Sequence, residues 1–273
     1  MRSTVTMAIA TAGIVGVSLA FISAQAGTQG RPEGGRTASA SVATPKLPDG
    51  HPDLNGQWYH RIGAPAPQIK PGESYDAATA KPVGINQFNP GKPVYKPEYV
   101  ARVKDLDERQ VQVDPAWYCQ PPGVPRIGPP QKIVQTAREV VFLYDDLNGN
   151  FFRVVRMNAA HRTDIDPSAH GDSVGRWEGD TLVVDVTNLD EGTWLSDNGA
   201  FHSDKTHVVE RLRREGDTLH YEATVDDPVL AQPWTLKPRD LKVMKDYDIE
   251  EAPFCSERDA SHLQDLSHHG NLR

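Results

Sequence analysis

Glu178-Gly179-Asp180-Thr181-Leu182 returns 37 residues later as Glu215-Gly216-Asp217-Thr218-Leu219, and each copy sits between residues that alternate or favour strands. Gly-Asp between two such runs suits the two-residue turn of a β-hairpin, because glycine accepts the positive φ that a primed turn requires. The repeat therefore predicts two hairpins, over 173–187 and 205–226. With Gly216 and Asp217 as the loop, Glu215 pairs with Thr218 and side chains alternate faces with period two. One face then carries Val208, Glu210, Leu212, Leu219, Tyr221, Ala223 and Val225, with Arg214 near the exposed tip. It reads as the core face. The other carries His207, Val209, Arg211, Arg213, His220, Glu222 and Thr224 and reads as solvated, with Arg211 opposite Glu222 as a cross-strand charge pair.

One residue breaks the apolar set. Glu210, between Val208 and Leu212 and facing the small Ala223, puts a carboxylate on the core face. Such a group must be paired, hydrogen-bonded or protonated. Two readings follow: Glu210 pairs with an inward arginine, or it faces a polar cavity.

The rest of the chain frames these hairpins. Arg2, the apolar or small run from Met7 to Ala24 and the small-residue site Ala24-Gln25-Ala26 read as a secretory signal over residues 1–26, with a periplasmic or secreted destination. Residues 27–46 read as a disordered leader, and 47–273 as a single domain. Without Arg2, 28 Lys+Arg stand against 37 Asp+Glu, a net charge of −9. That balance argues against nucleic acid or an anionic membrane surface as a partner. The only cysteines, Cys119 and Cys255, are both in the exported part, and an even count there favours a disulfide. The rival reading, a reactive thiol, lacks any neighbouring nucleophile–base pattern.

Taken in order, Leu54-Asn55-Gly56-Gln57-Trp58 opens the ordered chain. Its Gly-x-Trp is similar to the first strand of lipocalin-like (calycin) barrels, where the tryptophan plugs the closed end. The seven prolines between Pro65 and Pro97 predict an irregular ordered wrap. Pro93 to Gln112 is the one predicted helix, with a proline start at Pro97, an acidic first turn and apolar Val100, Val103 and Leu106 at helical spacing. Strands are predicted over 132–136, 139–144, 151–157 and 237–245, with Asn148-Gly149 in a hairpin loop. Sequential hairpins of this kind give an all-β chain: a single antiparallel up-and-down barrel or strongly curled sheet with one short helix. A β-sandwich is the alternative.

The chain also resembles a family of exported bacterial proteins. The matching stretches run from Pro48 to Trp58, from Cys119 to Arg126, and through Gly171-Asp172-Ser173-Val174-Gly175-Arg176-Trp177-Glu178-Gly179-Asp180-Thr181-Leu182-Val183-Val184. His202-Ser203, Val209-Glu210-Arg211, Asp227-Pro228 and Pro233-Trp234 match as well. The resemblance implies export and a single β-rich domain, and it implies no activity.

Two polar loops, 161–173 and 197–204, lie at strand ends away from the Gly-Asp turns. In a barrel they would meet at one mouth above Glu210 and Tyr221, where small-molecule sites form. A metal site would draw on His161, His170 and His202 with Asp164 or Asp172, but His-x-Asp at 170/172 and 202/204 is short and no His-x-x-x-His accompanies it, so no metal is expected. Gly171-Asp172-Ser173-Val174-Gly175 has nucleophile-elbow spacing for Ser173 with His202, yet strand follows where a helix is required. No phosphate loop or dinucleotide fingerprint is present, and no cofactor is expected.

Metal-free acid–base chemistry needs a tuned His or carboxylate and a donor for developing charge. His202 or His161 would move the proton, Glu210 would orient or act as base, Tyr221 or Arg162 would donate, and Asp172 would hold the loop. This predicts an exported lyase- or isomerase-like enzyme acting on a small hydrophobic or aromatic molecule. The alternative is a lipocalin-like carrier of an apolar ligand, with Glu210 paired internally.

Overall fold

The structure, a computed structural model, describes residues 42–59, 92–146, 148–246, 248–251 and 255. The expected export signal, residues 27–41 of the leader and most of the proline-rich wrap lie outside the described residues. Among the described residues there are ten strands: β1 (Gly56–Tyr59), β2 (Lys132–Gln135), β3 (Glu139–Asp146), β4 (Gly149–Met157), β5 (Asp172–Glu178), β6 (Thr181–Thr187), β7 (His207–Glu215), β8 (Thr218–Asp226), β9 (Trp234–Thr235) and β10 (Arg239–Met244). Nine of them close into a barrel in the order β10-β1-β2-β3-β4-β5-β6-β7-β8, with β10 returning to β8, and β9 pairs with β8 outside the ring. The helical segment falls where expected. A 3-10 turn at Pro97–Tyr99 leads into α1 (Val100–Glu108), followed by α2 (Gln110–Val113). Among the described residues no helix is long and apolar enough to cross a membrane.

Both Gly-Asp pairs are hairpin tips. Gly179 and Gly216 adopt φ of +61° and +56°, a region other residues occupy at a cost. At Gly216 a side chain would also strike the Val42 carbonyl, 2.6 Å from its would-be Cβ. The predicted register of the second hairpin holds throughout: Glu215 faces Thr218, Arg211 faces Glu222, and Glu210 faces Ala223. The expected charge pair across it does not form. Arg211 instead reaches Glu178 at the end of β5, at 2.8 Å.

The interior follows from strand alternation. Leu182, Val184 and Val186 of β6, Val208 and Leu212 of β7, Leu219, Tyr221, Ala223 and Val225 of β8, and Val140, Phe142 and Tyr144 of β3 are all buried. Each such aliphatic side chain contributes about 1.5–3 kcal/mol on leaving water. Gly175 of β5 lets the strands close up, since a Cβ there would lie 2.8 Å from Val155 Cγ1 and 2.7 Å from Met157 Sδ.

The tip end is closed as the Gly-x-Trp similarity implies. Trp58 is buried, its indole donates to the Leu54 carbonyl at 2.9 Å, and the Arg214 guanidinium lies 5.0 Å from its ring centroid. Arg214 is thus buried against this plug rather than at an exposed tip. Residues 42–46, assigned to the leader in the sequence, lie against the hairpin tips: the Gly216 amide donates to Thr44 Oγ1, and Lys46 pairs with Asp180.

Two features depart from a simple meander. β4 and β5 run parallel, and only Val155, Arg156 and Met157 of β4 pair with β5. The opposite end of the barrel is also covered, where an open mouth was expected. The loop after β6 brings Trp194, Leu195 and Phe201 into the core, and α1 packs on that loop so closely that a Cβ at Gly199 would lie 2.6 Å from the Val103 carbonyl. Phe201 stacks on Tyr95 at 5.1 Å and lies beneath the Arg102 guanidinium at 3.8 Å. Cys119 and Cys255 form a disulfide with Cα atoms 5.3 Å apart, so the reactive-thiol reading is excluded.

Candidate functional site

Glu210 points into the barrel, and an inward arginine meets it. Arg153 occupies the inward series of β4, opposite Phe142 and between Phe151 and Val155. Its Nη1 lies 2.6 Å from Glu210 Oε2 and 3.3 Å from Ser173 Oγ, and its Nη2 donates to the Tyr144 hydroxyl at 2.8 Å. The Tyr221 hydroxyl donates to Glu210 Oε1 at 2.8 Å. Both charged side chains are sealed from solvent, at 2% and 0% exposure. Burial alone would lower the Arg153 pKa, but the Glu210 charge outweighs it and holds the guanidinium cationic. Burial first, and the same carboxylate second, push the Tyr221 hydroxyl well above the ordinary phenol range. The group is a closed polar core in which Tyr221 is a donor that keeps its proton.

The other expected site residues separate into two further places. On the outer surface, Asp172 accepts from the Arg162 backbone amide (3.0 Å), the Arg162 side chain (2.8 Å), Arg156 (3.0 Å) and His161 Nδ1 (2.9 Å). Burial would raise the Asp172 pKa, but these donors prevail and bring it down to about 2. His161 also reaches Asp185 through Nε2 at 2.9 Å, and His207 joins the same carboxylate at 2.9 Å. This network straps the loop after β4 onto β5 and β6, and it engages both His161 nitrogens. His207, read as solvent-facing in the sequence, is its half-exposed end member.

His202 lies in the loop over the covered barrel end, with Nε2 on Thr193 Oγ1 (2.9 Å) and Nδ1 on the Ser203 carbonyl (2.9 Å). It is buried and shares no partner with Glu210. The six expected residues therefore form three places: Glu210 with Tyr221, Asp172 with His161 and Arg162, and His202 alone. Among the described residues no group of three or more His, Cys, Asp or Glu side chains could hold a metal ion.

A cleft of about 500 Å³ lies elsewhere, in the barrel wall. It exists because β5 pairs only with the last residues of β4, leaving the edge over 150–154 to be covered by the loop segment 168–171. Phe151, Phe152, Val154 and Pro121 supply apolar walls, and Asn150, Arg153, Arg162, Ser168 and His170 supply the polar lining. Phe152 is 68% exposed. His170 packs edge-on to Phe151 at 5.7 Å and near Tyr144 at 6.1 Å. Burial, then the neighbouring Arg153 charge, lower its pKa to about 4, against weaker help from backbone groups of Pro122 and Phe152. The imidazole is neutral at pH 7.

Arg153, Tyr144, Phe152 and Asp185 were not singled out from the sequence, and His170 was named only as a metal ligand. Arg153 had a usable signal. It alternates with Phe151 and Val155 along a strand that follows a tight turn, and pairing of Asp146 with Gly149 sets it opposite Phe142 on the inward face.

Compared with known protein families the chain matches none, and it matches no curated protein.

Proposed function

We propose that this chain is an exported binding protein that holds a small hydrophobic or aromatic molecule in the cleft between β4 and the 168–171 segment. The observation that carries the reading is the cleft itself: a gap in the wall of an otherwise packed barrel, with aromatic sides and a few convergent polar groups. Export rests on Arg2, the apolar run to Ala24 and the Ala24-Gln25-Ala26 site, and the Cys119–Cys255 bond fits an oxidising compartment.

The acid–base enzyme is the weaker reading. Glu210 is bonded to Arg153 and Tyr221 away from solvent, and both ring nitrogens of His202 and His161 have internal partners. A substrate would have to displace those partners before any proton moved.

The test is a ligand-observed NMR screen of small amphipathic compounds against the protein and its Phe152→Ala variant. Phe152 is exposed, so the variant keeps its fold. Hits that bind the parent and weaken in the variant are expected. Binders indifferent to Phe152, or turnover of a compound abolished by Glu210→Gln with folding intact, would reject the reading.

A further inference from the structure

We infer that the ligand of this cleft is an aromatic carboxylate, its ring against Phe152 and its anionic group toward Arg162. The inference rests on the binding reading above and adds the chemical class.

Charge is the first argument. Arg162, its side chain 49% exposed, lines the cleft and no aspartate or glutamate does, while the other arginine of the lining, Arg153, is paired with Glu210 inside the barrel. Arg162 is only partly spent on Asp172: that single carboxylate is shared with Arg156 and His161, and about half of the Arg162 side chain is exposed. Hydrogen bonds from a guanidinium to a carboxylate are among the strongest available, and their planar geometry matches.

A buried nitrogen without a partner is the second observation. Buried polar nitrogens are normally paired. His170 Nε2 is buried without a hydrogen-bond partner among the described residues, His170 lines the cleft, and the Nε2–H tautomer of this neutral ring can donate to a ligand oxygen. An oxygen-bearing group in the cleft would meet this need, whereas a hydrocarbon would not.

Shape is the third. Phe151 and Phe152 are consecutive on β4, and Phe152 leaves most of its ring in solvent. The exposed Phe152 ring, in a cleft that Arg162 also lines, suits a flat ring carrying an acid. The three features lie within one short strand edge and the loop facing it.

The experiment compares 2-naphthoate with its neutral isostere 2-naphthamide by titration calorimetry. The naphthoate should bind about tenfold more tightly, the factor one added charge-assisted hydrogen bond gives. Arg162→Gln should bring the two near parity, and Phe152→Ala should weaken both by about fivefold. A readout without variants guards against loop disruption by Arg162→Gln: raising ionic strength should weaken the naphthoate and leave the naphthamide unchanged. Equal affinities, both sensitive to Phe152, would overturn the carboxylate class and leave the cleft-binding reading standing. Absence of any Phe152-dependent binding would overturn both.

Discussion

Arg153 of β4 and Glu210 of β7 meet across the barrel interior, Nη1 to Oε2 at 2.6 Å, with two strands of wall between the elements that carry them. The pair ties opposite parts of the sheet together and consumes the one carboxylate that the hairpin register turns inward. Removing its charge leaves a buried guanidinium without compensation. Glu210→Gln is therefore expected to cost about 3–5 kcal/mol in urea unfolding. The double variant Arg153→Met/Glu210→Leu should recover most of that loss, because both charges go together. A Glu210→Gln protein as stable as the parent would show that the pair contributes nothing.

That Glu210 points inward was legible from sequence alone, because a two-residue turn leaves no freedom of register. The closed end at Trp58 was legible for a similar reason, as a local phrase at a strand start. What escaped depends on contacts between distant segments. The link from Met157 to Asp172 spans the fourteen residues between them, long enough for the crossover a parallel pair needs. Reading it as a hairpin connection hid the gap in the wall. The covering of the barrel end by Phe201 and α1 has no periodic signature at all, so His202 was placed at an open mouth that does not exist. Asp172, His161 and Arg162 were correctly grouped as one loop cluster, but whether that loop faced the interior or the outer surface was beyond alternation.

His170 gives the fold a pH dependence of definite sign. Its pKa in the folded state is about 4, against an ordinary value of 6.5, so between these limits the unfolded chain binds a proton that the folded chain does not. Stability should fall as pH drops from about 6.5 toward 4 and stop responding to this group below that. Asp172, lowered to about 2 from 3.8, adds a second loss further down, from about 3.8 to 2. Thermal melts across pH 4–7 check the first window. His170→Gln should flatten it, and an unchanged slope in that variant would assign it to other groups.

The disulfide should matter for binding as well as stability. Pro121, two residues from Cys119, forms one wall of the cleft. Reduction is expected to cost about 2–5 kcal/mol and to weaken cleft ligands by freeing that wall. Thiol titration of the unfolded, unreduced protein should find no free cysteine, and affinity for 2-naphthoate should drop on treatment with a reductant. Unaltered affinity in the fully reduced, still folded protein would separate the bridge from the site.

A ligand held in the wall at β4 and a ligand held inside the barrel would touch different residues. Backbone amide chemical shifts recorded during titration with 2-naphthoate test this directly. For binding in the wall, saturable shifts are expected at Asn150, Phe151, Phe152, Arg153 and Val154 together with Ser168, Ala169, His170 and Gly171, while Glu210, Tyr221 and Phe201 stay still. Shifts centred on Glu210, Tyr221 and Phe201, with the β4 edge silent, would contradict it.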